Sequence, residues 1–330
     1  MKKIATFLMI YLLFASCAQA STVFIGDKDT KKGAIKTFFV KKSAQFEQYS
    51  DRKKDINEIK NVLSLLTKYS NEHDPKKIAT LYDKNYRSFD GFKYDNFLKM
   101  LNETFEVYDD ITYESDIKSI NLYADKAVVN LIDTTRATLT SKSAKEKAEK
   151  LSDSSLSTGH LEGECNYAIY LQKINNEWKI IADNVISEVT SVKYGSAKEY
   201  PMEFAAPLSV PGDSEYCLTL KMQPPKGTKV VASLGKEEIL YPSAEPEDVF
   251  RKLPKDGILE RIVRSNKNGR NEYAIASVGI TKMDIAQDFS AIRFKMTGLA
   301  FLMQRVNLYT DINPIREVKE DKKQDSKDKG

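Results

Sequence analysis

Proton transfer is the chemistry this chain's side chains are equipped for, and the equipment is sparse. Moving a proton at neutral pH takes a carboxyl or imidazole whose pKa burial has shifted toward 7. Asp133 and Glu164 fall in runs where apolar residues alternate, His160 stands beside Gly159 at the head of one of them, and Tyr69, Tyr82 and Tyr86 could donate phenolic hydrogen bonds. No spacing among them marks a catalytic set, so no catalytic residue is assigned, and each acid reads first as an ordinary surface group. Six residues stand as candidates to line a ligand pocket: Tyr69, Tyr82, Phe105, Asp133, Tyr170 and Trp178. Aromatics in such runs fill cores more often than they bind ligands.

Other chemistries are excluded by what is missing. With His73 and His160 as the only histidines there is no His-Glu-x-x-His, and no Cys-x-x-Cys occurs, so no metal site is expected. Neither phosphate-cradling glycine loop is present and no Gly-x-Ser-x-Gly elbow offers a serine nucleophile. That removes the common nucleotide enzymes and hydrolases and leaves no expected cofactor. The formal charge of +4 falls to about +2 once Lys2 and Lys3 are removed, and Lys alternates with Asp and Glu along the polar stretches. Such a balance offers nucleic acid no basic stripe, so nucleic acid is not an expected partner.

The most specific signal is N-terminal. Lys2-Lys3, the apolar run 4–15 and the small residues of Ala18-Gln19-Ala20 have the three-part form of a secretory signal peptide cut after Ala20. The run is too short to span a bilayer, which takes about 20 residues. Leu13-Phe14-Ala15-Ser16-Cys17 offers a second outcome, acylation of Cys17 as in a lipoprotein, although Phe14 stands where that pattern has Leu. Either way the chain is expected in the periplasm or on the cell surface, touching membrane only through a lipid on Cys17. Export leaves Cys165 and Cys217 where disulfides persist, and they either bridge the two halves of the chain or remain small buried thiols.

These groups need elements to position them. Residues 21–50 read as a Lys-rich lead-in whose apolar clusters, Val23-Phe24-Ile25 and Thr37-Phe38-Phe39-Val40, would each form a short strand or helix. From Asp51, the residues Ile56, Ile59, Val62, Leu63, Leu66 and Tyr69 recur at helical spacing. Asp74 caps a short helix with Pro75 at its first position, carrying Ile78, Leu81 and Tyr82 inward. A loop through Asp90-Gly91 leads to a third helix at about 94–108. Thereafter the period drops to two, which predicts strands at 111–123, 127–139, 164–174 and 178–192, the last pair joined by the tight turn Asn175-Asn176-Glu177. Residues 141–158 read as an exposed insertion.

This order of elements, with the Leu81-Tyr82-Asp83 and Glu177-Trp178-Lys179-Ile180 neighbourhoods, resembles the nuclear-transport-factor-2-like superfamily over about residues 51–195. The resemblance implies a strongly curved antiparallel sheet wrapped on three helices around a conical pocket. It also implies a superfamily in which isomerases, dehydratases, epoxide hydrolases and cyclases stand beside many members with no chemistry. None of their catalytic positions is matched by a residue here.

Beyond Tyr200-Pro201 strands are predicted at 215–222, 228–234, 258–265, 273–281, 291–296 and 298–309, with a short helix at 247–253. The expected class is therefore α+β, with a signal peptide (1–20), the lead-in (21–50), a cone (51–197), a β-rich, sandwich-like domain (198–312) and a disordered charged tail (313–330). The expected role is a non-catalytic envelope module that binds a small apolar molecule or an envelope protein. Two alternatives stand beside it: an isomerase-, dehydratase- or cyclase-like enzyme using a buried carboxylate, and a filled structural module that forms a homodimer through its sheet face.

Overall fold

The computed structural model of the chain describes residues 36–108, 110–140, 156, 158–224, 226–242, 249–285 and 292–309. The expected signal peptide with Cys17 and Ala20, the first part of the lead-in, most of the 141–158 insertion and the charged tail lie outside them.

Three helices come first. α1 (Lys36–Asn71) joins the second half of the lead-in to the first expected helix, so Thr37-Phe38-Phe39-Val40 is helical rather than a separate strand. The physical reason is plain: no glycine or proline interrupts those 36 residues. α2 (Pro75–Leu81) starts as predicted, with Asp74 accepting the Lys77 backbone N–H at 3.0 Å. α3 (Tyr94–Val107) follows. Ile59, Leu63 and Leu66 of α1, Ile78 and Leu81 of α2, and Phe97, Met100 and Leu101 of α3 are all buried in one core. Each such side chain contributes about 1.5–3 kcal/mol over its exposed state.

The strands that receive these helices are β2 (Thr112–Tyr123), β3 (Lys126–Thr140), β4 (Thr158–Ile174) and β5 (Glu177–Gly195), an antiparallel meander. Asn175 and Asn176 take φ of 49° and 68°, the left-handed values a tight hairpin turn requires, as their sequence predicts. One strand was not expected: β1 (Tyr82–Ser88), where a loop was read, pairs parallel with β5. Its hydrogen-bond partners lie about 100 residues further along the chain, so nothing in Asp83-Lys84-Asn85 announces it.

The second half contributes β6 (Met202–Ala205), β7 (Ser209–Pro211), β8 (Glu215–Met222), β9 (Thr228–Glu238), β10 (Arg251–Lys252), β11 (Ile258–Arg264), β12 (Glu272–Ile285) and β13 (Ile292–Tyr309). Two expectations change here. The two strands expected at 291–296 and 298–309 are one, described over Ile292–Tyr309 with a bulge at Thr297, and residues 251–252 pair with 231–232 as strand instead of ending a helix. Among the described residues the main sheet has ten strands in the order β10-β9-β12-β13-β5-β4-β3-β2, with β1 added on β5 and β7 on β13. The sheet therefore runs from the cone into the second half through the β5–β13 pairing. A second sheet, β11-β8-β6, shares a separate core with β9, β12 and β13 through Leu218, Leu220, Ala232, Ala276, Val278 and Ala300.

Two features hold that junction. Gly195 and Gly298 face each other across the β5–β13 pair, and a Cβ on Gly195 would stand 2.3 Å from the Thr297 carbonyl oxygen, so only glycine fits. Arg305 of β13, with no exposed side-chain surface, donates to both carboxylate oxygens of Asp90 at 2.7 and 3.0 Å, while its Nε donates to Asn307. Asn271 adds a third donor to Asp90 at 2.8 Å and accepts the Leu308 N–H.

Asp90→Ala should lower stability by about 3–5 kcal/mol, because it leaves a buried guanidinium without its counter-ion. Urea denaturation checks this, and the double variant Asp90→Leu/Arg305→Met should recover much of the loss.

Candidate functional site

Where α1, α2 and α3 cover β2–β5 they leave a cavity of about 40 Å³, lined by Ser70, Ile78, Phe97, Leu101 and Thr104 from the helices and by residues of all four strands. A buried water takes roughly 10–15 Å³ of such space, so about three waters fill it. Pockets for ordinary small-molecule ligands run to several hundred Å³. The space between helices and sheet is thus mostly filled by side chains, leaving a narrow remnant with largely apolar walls and a few polar groups. Glu164 stands at the exposed rim.

The charged groups on the cavity's walls are carboxyls. Asp133 of β3 is buried, and Tyr167 of β4 donates its phenol to Asp133 Oδ2 at 2.6 Å. Burial pushes the Asp133 pKa up to about 6, although the Tyr167 and Ser115 hydroxyls pull it part of the way back. Asp133 Oδ1 has no partner at hydrogen-bonding geometry among the described residues. Glu188 of β5 is pushed up to about 8, first by burial and against the nearby Arg305 guanidinium, and it accepts long contacts from Thr190 (3.4 Å) and Tyr273 (3.5 Å). Beside the lining, Tyr86 of β1 donates to Asp183 of β5, and the Tyr82 hydroxyl is buried with no partner among the described residues. Burial, then the negative charge of Asp183 and Asp133, raises the Tyr82 pKa well above that of a free phenol.

Two irregularities in β5 put its acids there. Ile180 pairs with Leu171 and Ala182 with Tyr170, which leaves Ile181 extra; Val185 pairs with Tyr167 and Ser187 with Asn166, which leaves Ile186 extra. Each bulge turns the strand by one residue. Burial follows Trp178 and Ile180, then Asp183 and Val185, then Glu188, Thr190 and Val192. An apolar residue, Val189, is thereby left 55% exposed while the glutamate beside it is buried.

Of the six pocket candidates read from the sequence, Asp133 lines the cavity and the others serve elsewhere. Tyr82 lies just beyond it, its ring 4.3 Å from that of Phe97. Tyr69 is half-buried on α1 under the Lys77 ammonium, and Phe105 stacks on His73 at 4.8 Å. Tyr170 stacks on the exposed Phe89 at 5.8 Å. Trp178 donates to Asp55 at 3.2 Å, and Lys173 binds the same carboxylate at 2.6 Å, so the two latch the β4–β5 hairpin onto α1. His160 is exposed on β4, and His73 is engaged with the Ile111 carbonyl oxygen at 2.8 Å. Glu188, Asp183 and Tyr167 escaped the sequence reading. A period-two count from Trp178 reaches Glu188 directly, and one that allowed for the phase slips would also have found Asp183.

Of the two outcomes open to the cysteines, the structure has both as free thiols. Cys217 is exposed on β8, in the second sheet, while Cys165 lies on β4 against the cavity, so a bridge would have to pass between layers. Burial, reinforced by the charges of Glu188 and Asp133, pushes the Cys165 thiol up, which makes it a poor nucleophile.

The raised carboxyl pKa values carry a stability prediction. The folded chain holds protons on Asp133 and Glu188 that the unfolded chain has released, so stability is highest below about pH 4 for these two groups and falls as pH rises through about 6 and about 8. Glu188→Gln should flatten that fall between pH 5 and 8, as measured by thermal unfolding at a series of pH values.

No family model matches the chain, and no curated protein matches it. Solved structures similar to it include Bd1075 of Bdellovibrio bacteriovorus, at 16% identity over 42% of this chain and a TM-score of 0.31; the match spans 41% of that protein. A nuclear-transport-factor-2-like family protein from Streptomyces avermitilis is 10% identical over 40% of this chain and 96% of its own, with a TM-score of 0.33. The hexachlorocyclohexane dehydrochlorinase LinA-type3 from Novosphingobium barchaimii is 13% identical over 41% of this chain and 87% of its own, with a TM-score of 0.31. Structural neighbours of about two-fifths of the chain thus include nuclear-transport-factor-2-like proteins.

Proposed function

We propose that this is an exported cell-envelope protein whose cone binds rather than catalyses. The observation that supports binding over chemistry is the cavity's size: about 40 Å³ admits a headgroup but not a substrate with room to react. The same cavity keeps a buried carboxylate oxygen without a hydrogen-bond partner among the described residues, which is uncommon in a purely structural core. The two buried acids in its otherwise largely apolar lining turn the expected ligand from a wholly apolar molecule to one that also brings hydrogen-bond donors. Export rests on Lys2-Lys3, the apolar run 4–15 and Ala18-Gln19-Ala20. The three-stranded sheet facing β9, β12 and β13 supports a sandwich-like reading of the second half, which leaves edge strands β6 and β11 available for contact with other envelope components.

A second reading, an isomerase- or dehydratase-like enzyme, is supported by one pairing: a carboxyl with pKa raised to about 6 and a phenol 2.6 Å away. It requires the helices to draw back and enlarge the chamber.

Native mass spectrometry of the chain purified from its own envelope should show an N-terminus at Ser21 or at an acylated Cys17, with part of the population carrying a bound small molecule or a discrete partner. An uncleaved N-terminus overturns the export reading, and a uniformly empty monomer overturns the binding reading.

A further inference from the structure

Every charged side chain lining the cone's cavity is an acid. Asp133 and Glu188 are 7% and 3% exposed, Glu164 stands at the rim, and among the described residues no lysine, arginine or histidine joins them. Asp133 Oδ1 has no hydrogen-bond partner among the described residues, and both contacts that Glu188 accepts are at the outer limit of hydrogen bonding. Arg305, the guanidinium that acts on Glu188, is already committed to both oxygens of Asp90. The site therefore has acceptors in excess, negative charge in excess and space for a group the size of a few waters.

We infer that the cavity seats a small alkylammonium ion, with the ammonium group against Asp133 and Glu188 and its carbon chain along Ile78, Phe97 and Leu101. An ammonium is a compact point charge with three donors, matching acceptors that stand apart; the flat fork of a guanidinium demands a carboxylate presented edge-on and more room. The apolar wall favours a slender carbon chain over a hydrated inorganic ion. A metal ion is the rival cation, and among the described residues no group of three or more His, Cys, Asp or Glu side chains is arranged to hold one. Around Asp133 the titratable groups are Tyr167, Tyr82, Tyr113 and Cys165, all neutral in the physiological range because burial raises them, so only the neutral hydroxyls of Tyr167 and Ser115, and no charged donor among the described residues, compete with an incoming cation.

This inference rests on the binding reading above, and its test separates the two. Calorimetric titration of the full chain with ethylammonium and with ethanol, each of three heavy atoms like the roughly three waters the cavity holds, at about pH 8.5, compares a cation with a neutral molecule of equal length while the carboxyls are ionised and the amine, with a pKa near 10.4, stays protonated. Ethylammonium should bind at least about tenfold more tightly than ethanol, and Asp133→Asn should remove about tenfold of its affinity. Glu188→Gln is the second variant, with thermal unfolding establishing that each is folded. Equal affinity for the amine and the alcohol overturns the charge inference and leaves the binding reading standing. Binding of neither overturns both, and undiminished amine binding by both folded variants overturns the assignment to this cavity.

Discussion

A single buried ion pair ties the molecule together. Arg305 sits on β13, the strand that lies between β5 of the cone and β12 of the second half, and its guanidinium closes on Asp90 in the loop that joins β1 to α3. Both charges have left water, a cost repaid only because the fork-to-carboxylate geometry is bidentate and Asn271 and Asn307 take up the remaining positions. With that pair in place β13 cannot slide along β5, and the facing glycines at 195 and 298 let the backbones approach closely. The cavity wall inherits this rigidity, because Glu188 belongs to the strand that β13 fixes.

Charge inside the cone is the counterpart of that order. Arg305 lowers the cost of ionising Glu188 but does not cancel the burial that raises it, and among the described residues no cation acts on Asp133. Leucine or glutamine at these positions would pack as well at neutral pH and avoid the desolvation of a carboxylate. Acids retained at such a cost belong to a site more readily than to a scaffold. The narrowness of the cavity then limits what that site can hold.

Locally determined features were legible in the residues. Asp74 caps α2 because an acceptor three residues before a free N–H, followed by proline, suits a helix start in any context. Asn175-Asn176 turns because asparagine tolerates positive φ, which no partner elsewhere in the chain has to enforce. The apolar stripe of α3 reads directly onto Phe97 and Leu101. By contrast, β1 exists only because β5 offers it a parallel edge, and Tyr86 and Ser88 are buried by that pairing rather than by any pattern of their own.

The sequence by itself determined the α+β class, the three helices, the four-stranded meander and its hairpin, since periodicity, capping and turn chemistry act over a few residues. Tertiary structure decided which acids face inward and where the second half attaches. Two bulges in β5 reverse its phase and then restore it, which buries Asp183 between them, and a bulge is visible only in the register between strands. The pairing of β5 with β13, which extends the cone's sheet into the second half, depends likewise on edges that meet only after the chain has folded, so no local pattern encodes it.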